Sequence, residues 1–224
     1  MSANVINQEI TNPTSVQPVL LDKILSKIPA ILMVAGAILL LISMSYPYWG
    51  MVLLAPQYPG GLGMHVYVNY VTGDDDPQLD EVKEIDGLNH YIGMKSLNDA
   101  AQFERSIAVP SIILMAALLV VAAFWHNRWT WILTVPAMLF PAIFLADLAF
   151  WMNQFGQNLD PYAPLSSAIK PFTPPVLGEG VIGQFSSLAS VEIGWYLAVI
   201  AGTWVLVGLS IRFGAYIQQR SQGG

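Results

Sequence analysis

Four stretches of the chain are long and almost unbroken in their hydrophobicity, at about residues 28–46, 107–125, 129–151 and 193–211. Only the third contains a charge, Asp147. About 20 apolar residues rising ~1.5 Å each cover the ~30 Å hydrocarbon core of a bilayer, and backbone groups there must be hydrogen-bonded within their own segment. The pattern predicts four transmembrane helices. The first run follows a mostly polar segment and ends in Tyr46-Pro47-Tyr48-Trp49. That reads as an aromatic interfacial belt rather than a small-residue cleavage site, so the run is an uncleaved anchor.

Basic residues near the span ends set orientation. Lys23 and Lys27 precede the first span, Arg128 sits in the turn between the second and third, and Arg212 and Arg220 follow the fourth. Residues 1–27 and 212–224 are therefore expected in the cytoplasm, with the chain in the inner (cytoplasmic) membrane. The two long connections, 47–106 and 152–192, are expected on the extracytoplasmic side.

The first of these connections is too long for a passive link. Residues 53–63 are rich in Pro and Gly and read as turns. Met64 to Val71 alternates and predicts a strand, and Leu79 to Ile85 predicts a second short one. Gly73 to Pro77 is a solvated acidic turn without the glycine and glutamate spacing of an EF-hand. Ser96 to Asp99 starts a helix leading into the second span. The second connection, with Pro161, Pro164, Pro171, Pro174 and Pro175, reads as irregular surface chain. The predicted architecture is an all-α four-helix membrane bundle with a small extracytoplasmic α+β cap.

Composition agrees and narrows the chemistry. Of 224 residues, 54% are hydrophobic and 11% charged, and the mean hydropathy is +0.53. Soluble domains carry about 25% charged residues, so the lipid bilayer is the first partner. With no cysteine, disulfides, Cys-ligated zinc, iron–sulfur clusters, covalently held haem c and a cysteine nucleophile are excluded. A net charge of -6 argues against nucleic acid. No histidine lies within a span, so a bundle-held haem b is not expected. Zinc-hydrolase, phosphate-loop and serine-hydrolase motifs are absent.

What remains is histidine and methionine. Met64-His65 and His90-x-x-x-Met94 fall in the same connection, and thioether with imidazole suits copper, especially Cu(I). On a strand, Met64 and His65 point to opposite faces. On a helix, His90 and Met94 converge. A metal-free reading, with His90 hydrogen-bonded in the cap and the methionines packed at the membrane interface, accounts for the same residues. Asp147, about a turn from the end of its span, is an intramembrane carboxylate. It is open to snorkelling to the interface, to accepting from a Trp or Tyr of a neighbouring helix, to proton relay or to pairing with Arg105. Glu192 reads as a carboxylate at a helix N-terminus.

The segments Ala55-Pro56-Gln57-Tyr58-Pro59-Gly60-Gly61-Leu62 and Ile85-Asp86-Gly87-Leu88-Asn89-His90-Tyr91-Ile92-Gly93-Met94 resemble a family of small bacterial membrane proteins. Asn158 to Pro164 and Lys170 to Pro175 are similar to its second loop. That family is associated with gene neighbourhoods that supply copper to nitrous oxide reductase. The resemblance spans nearly the whole chain and implies a copper-handling or enzyme-maturation role with an extracytoplasmic or membrane protein partner. Family members often carry a further histidine near the second-loop motif, where this chain has Gln157 and Asn158. The expected function is thus a membrane accessory protein handling copper for a redox enzyme. The alternative is an anchor subunit of a larger respiratory or photosynthetic complex, with no metal of its own.

Overall fold

A computed structural model describes residues 26–74, 79–125, 127 and 129–222. The remainder of the N-terminal segment, most of the acidic turn, His126 and Arg128 lie outside the described residues. In chain order the elements are α1 (Ile28–Ser43), β1 (Trp49–Ala55), β2 (Tyr58–Val66), β3 (Val71–Thr72), α2 (Glu81–Ile92), α3 (Gln102–Phe124), α4 (Thr130–Gln157), β4 (Gly178–Ile182), β5 (Phe185–Val191) and α5 (Ile193–Gln222). A single 3-10 turn, Leu97–Asp99, precedes α3, its Ser96 side chain accepting from the Asn98 N–H.

Three helices, α3, α4 and α5, are long and apolar enough to cross a membrane, consistent with a multi-pass membrane protein. The first expected span is the exception. Helix α1 has 16 residues, about 24 Å at ~1.5 Å per residue. Its end is set by Pro47, which disfavours helical backbone at Tyr46, and strand conformation begins at Trp49. The other helices outrun their apolar windows, so Glu104 and Arg105 lie within α3 and residues 152–157 lie within α4.

Helices α1 and α5 pack directly on one another. Gly36 lets the Ala201 carbonyl and Val205 approach, and Gly208 admits Pro29. Helix α1 leads into β1 through the turn Met44 to Tyr48, and β5 leads into α5 through Glu192 alone. Those strands pair antiparallel at the centre of a sheet of order β3-β2-β1-β5-β4. The central strand pair thus prolongs a packed helix pair. At the joint the Tyr48 N–H donates to the Val66 carbonyl, the Glu192 N–H to the Tyr48 carbonyl and the Gly194 N–H to the Pro47 carbonyl. Tyr48 and Trp49 are fully buried, and the Trp49 indole donates to the Val176 carbonyl at 2.6 Å, tying down the proline-rich segment.

Four expectations for the cap are corrected. The strand expected over Met64 to Val71 ends at Val66 and turns, the Tyr67 N–H donating to the Tyr70 carbonyl, before the two-residue β3. Residues 53–63 are not a turn-rich link but most of a β-hairpin, turning between Ala55 and Tyr58. The glycines there serve close approach: a Cβ on Gly63 would overlap the Asp74 carboxylate, and Gly61 has φ 85°. Leu79 to Ile85 is not a strand, because α2 starts inside it. Asp80 caps that helix by accepting from the Lys83 N–H at 3.1 Å, and Glu81 and Glu84 lie in the first turn. Ile85, Leu88 and Ile92 share one face at helical spacing, and Gly93 ends the helix in left-handed conformation. The proline-rich segment also contributes more than coil, supplying β4 and β5.

The sheet has one face toward the helices. Trp49, Met51, Leu62, Met64 and Ala189 of that face pack with Ile85 of α2 and with Leu148 and Met152 of α4. Gly194→Ala would drive a Cβ to 2.6 Å from the Tyr46 carbonyl and the Tyr48 ring. It is expected to cost about 1–3 kcal/mol, lowering the thermal midpoint in nanodiscs by about 2–4 °C per kcal/mol. An unchanged midpoint would show that the joint is not tightly packed.

Candidate functional site

The helix-facing side of the sheet, helix α2 and the neighbouring halves of α3 and α4 enclose a cavity of about 480 Å³. That volume lies in the range of small-molecule sites. Its walls are overwhelmingly apolar because each element turns its buried stripe inward. Met51 and Met64 come from the sheet, Leu88 from α2, Ala108 and Met115 from α3, and Phe140 and Leu148 from α4. The cavity reaches from Met115 and Pro136, well inside the apolar part of α3 and α4, up to Ser187 and Phe185 under the sheet. Two of its wall residues, Ile107 and Ile143, are 40% and 56% exposed. The space therefore opens sideways between α3 and α4, where lipid would lie.

Charge enters this cavity at one level. Glu104 and Arg105 from α3 and Asp147 from α4 line it, and the Glu104 charge is near enough to act on Asp147. Arg105 does not pair with Asp147. Its Nε donates to the Asn69 carbonyl at 3.2 Å and its Nη1 to the Asn98 carbonyl at 3.5 Å. Trp151, one turn beyond Asp147, also lines the cavity. Its indole N–H is buried beside that carboxylate without a hydrogen bond of good geometry.

The four candidate metal ligands separate. Met64 and Met94 both line the cavity. His65 does not, because strand alternation turns it to the far face of the sheet. His90 is exposed on α2, its ring edge-on to Tyr91 with centroids 6.3 Å apart. Met94 follows the αL residue Gly93 and packs against Ala55, Ile92 and Phe185. Among the described residues no three His, Asp or Glu side chains gather as metal ligands. The thioethers do gather. Met51 sits directly opposite Met64 on the adjacent strand, both packing in one cluster with Met152. Five of the nine methionines line the cavity: Met51, Met64, Met94, Met115 and Met152. A soft thioether set fits Cu(I) without imidazole.

The sequence reading missed Met51, Met152, Glu104 and Trp151. Met51 and Met152 lay just past expected span ends, where they read as ordinary interfacial residues. Alternation of Met51 and Leu53 with exposed Val52 and Leu54 is the signal that would have exposed the strand.

His65 has a different role. Its Nδ1 meets Glu192 Oε1 and its Nε2 meets Asp74 Oδ1, each at 2.8 Å. Glu192 reaches it across Gly50, the strand partner of His65, where a Cβ would overlap the carboxylate. Beside it the buried Glu81 carboxylate accepts the Gly63 N–H at 3.0 Å and the Asp74 N–H. Only the imidazolium donates at both ring nitrogens. Partial burial opposes its charge, but the bonds to Asp74 and Glu192 outweigh this and raise its pKa above 6.5. A proton held more tightly when folded stabilises fully below the unfolded pKa of about 6.5 and is lost as pH rises through the raised value.

No protein-family model matches the chain, and neither does any curated protein or solved structure.

Thermal midpoints in nanodiscs are expected to fall between pH 6 and pH 8.5, and His65→Gln is expected to flatten that slope. An equally steep slope in the variant would remove His65 as its cause.

Proposed function

We propose that this is an accessory membrane protein that holds an elongated apolar molecule, drawn from the bilayer, in the cavity between its cap and its helices. The carrying observation is the cavity itself: about 480 Å³, apolar, walled jointly by cap and helices, and open toward lipid. A structural core at native packing density leaves no void of that size. In this reading α1 is the fourth span, its shorter length met by tilt of its neighbours or local thinning of the bilayer. Both termini face the cytoplasm, and the cap stands outside it. The basic residues at the span ends support that orientation. The far face of the sheet carries exposed Val52, Leu54 and Leu188, an apolar surface suited to a protein partner.

The gathered thioethers favour a second reading, in which the same cap handles Cu(I) for an extracytoplasmic redox enzyme. Met51, Met64 and Met152 would hold the ion, with Met94 nearby. The ion would be soft-ligand cargo, and His65 and His90 would stand outside the site.

The readings separate experimentally. A diazirine-bearing hexadecanol in phosphatidylcholine nanodiscs is expected to label wall peptides spanning 104–115 and 136–155. Ala108→Phe, which fills the cavity, is expected to cut that labelling several-fold; unchanged labelling would mean ordinary boundary lipid and sink the first reading. Anaerobic Cu(I) titration should show a site lost in Met51→Leu/Met64→Leu and kept in His90→Ala. Loss in His90→Ala, or no site at all, would remove the thioether proposal. A reporter fusion near Asn89 is expected to score outside the cytoplasm.

A further inference from the structure

Resting on the first of these readings, we infer that the cavity selects its occupant by its head: a long-chain amphiphile carrying a monocationic amine. The amine would seat at Glu104 and Asp147, with the chain lying between α3 and α4. Three observations carry this.

The first is charge. The cavity wall contains two carboxylates, Glu104 and Asp147, and one guanidinium, Arg105. The carboxylates are near enough to feel one another, while Arg105 is directed to the carbonyls of Asn69 and Asn98. None of the three forms an ion pair among the described residues. The wall therefore carries one uncompensated negative charge in surroundings of low polarity. Two like charges there are costly unless a cation or a proton joins them. A monocation balances the set, a neutral head leaves it unbalanced, and an anionic head makes it worse.

The second is placement. On α4, Asp147 stands between Pro136 and Phe155, both wall residues. Eleven residues separate it from Pro136, about 16 Å of helix at ~1.5 Å each. The carboxylates thus lie partway along the slot, with apolar wall above them to Phe155 and under the sheet and about 16 Å of apolar wall below them on α4, room for a chain that points into the membrane. The third is access. Ile107 and Ile143, beside this level, are exposed on the flank of the helix pair. A chain enters sideways from the bilayer without its head crossing the hydrocarbon.

The test uses three diazirine probes of equal chain length, hexadecylamine, hexadecanol and hexadecanoate, with the whole protein in phosphatidylcholine nanodiscs. Cross-links are mapped to the wall peptides. The amine is expected to label several-fold more than the alcohol, and the carboxylate least. In Glu104→Gln/Asp147→Asn the amine's advantage should vanish while labelling by the alcohol persists, which also shows that the variant has folded. Equal labelling by all three heads in the wild type, or an amine preference surviving in the double variant, overturns the inference and leaves the cavity reading standing. Labelling by none of the three overturns both.

Discussion

The architecture depends on the short joint from Met44 to Tyr48, where helix α1 gives way to sheet. Backbone groups leaving a helix at the bilayer surface need partners at once. Here they find them across the joint: Tyr48 N–H on Val66, Glu192 N–H on the Tyr48 carbonyl and Gly194 N–H on the Pro47 carbonyl. The Tyr48 hydroxyl reaches Ser43 at the end of α1 at 2.6 Å. Because the same few residues join α1, β1, β2 and the start of α5, the position of the cap over the bundle is fixed by short hydrogen bonds. A flexible tether has no part in it. The cavity depends on that placement, since its roof is sheet and its lower walls are α3 and α4.

The three long apolar helices were readable from sequence because hydrophobicity over ~20 residues is a long, redundant signal, while the first run gave a helix of only 16 residues. The cap was less so. Trp49 to Leu54 is nearly all apolar, and following a spanning run it reads as interface; its alternation becomes visible only when Val52 and Leu54 are known to face outward. Gly61 and Gly63 look like turn residues, yet both lie in a strand, where Gly63 clears space for the Asp74 carboxylate and Gly61 takes a positive φ. Helix α2 had its cap at Asp80 and its stop at Gly93 in plain view, but the short apolar run from Leu79 to Ile85 fits strand and helix alike.

For the site, the sequence supplied residue types and the fold decided company. Strand alternation correctly separated Met64 from His65. Nothing local could place Met64 beside Met51 and Met152, because those contacts form only when β1 pairs with β2 and the sheet settles on α4. His65 looked like a soft ligand and instead bridges two carboxylates. Asp147 shares a cavity wall with Glu104 and Arg105, both of which belong to α3 because it starts at Gln102, and Arg105 turns to the Asn69 and Asn98 carbonyls instead of pairing with it.

The continuation of two packed helices as two bonded strands has a mechanical result. A slip of β1 against β5 by a single position would invert the sidedness of β1, throwing Met51 to the water side and Val52 beneath the roof. Such travel is blocked, so tilt or rotation of the pair is the motion left to it. A disturbance at the far end, where Arg212 grips the last carbonyls of α3, would then reach the roof of the cavity as leverage through a rigid strut.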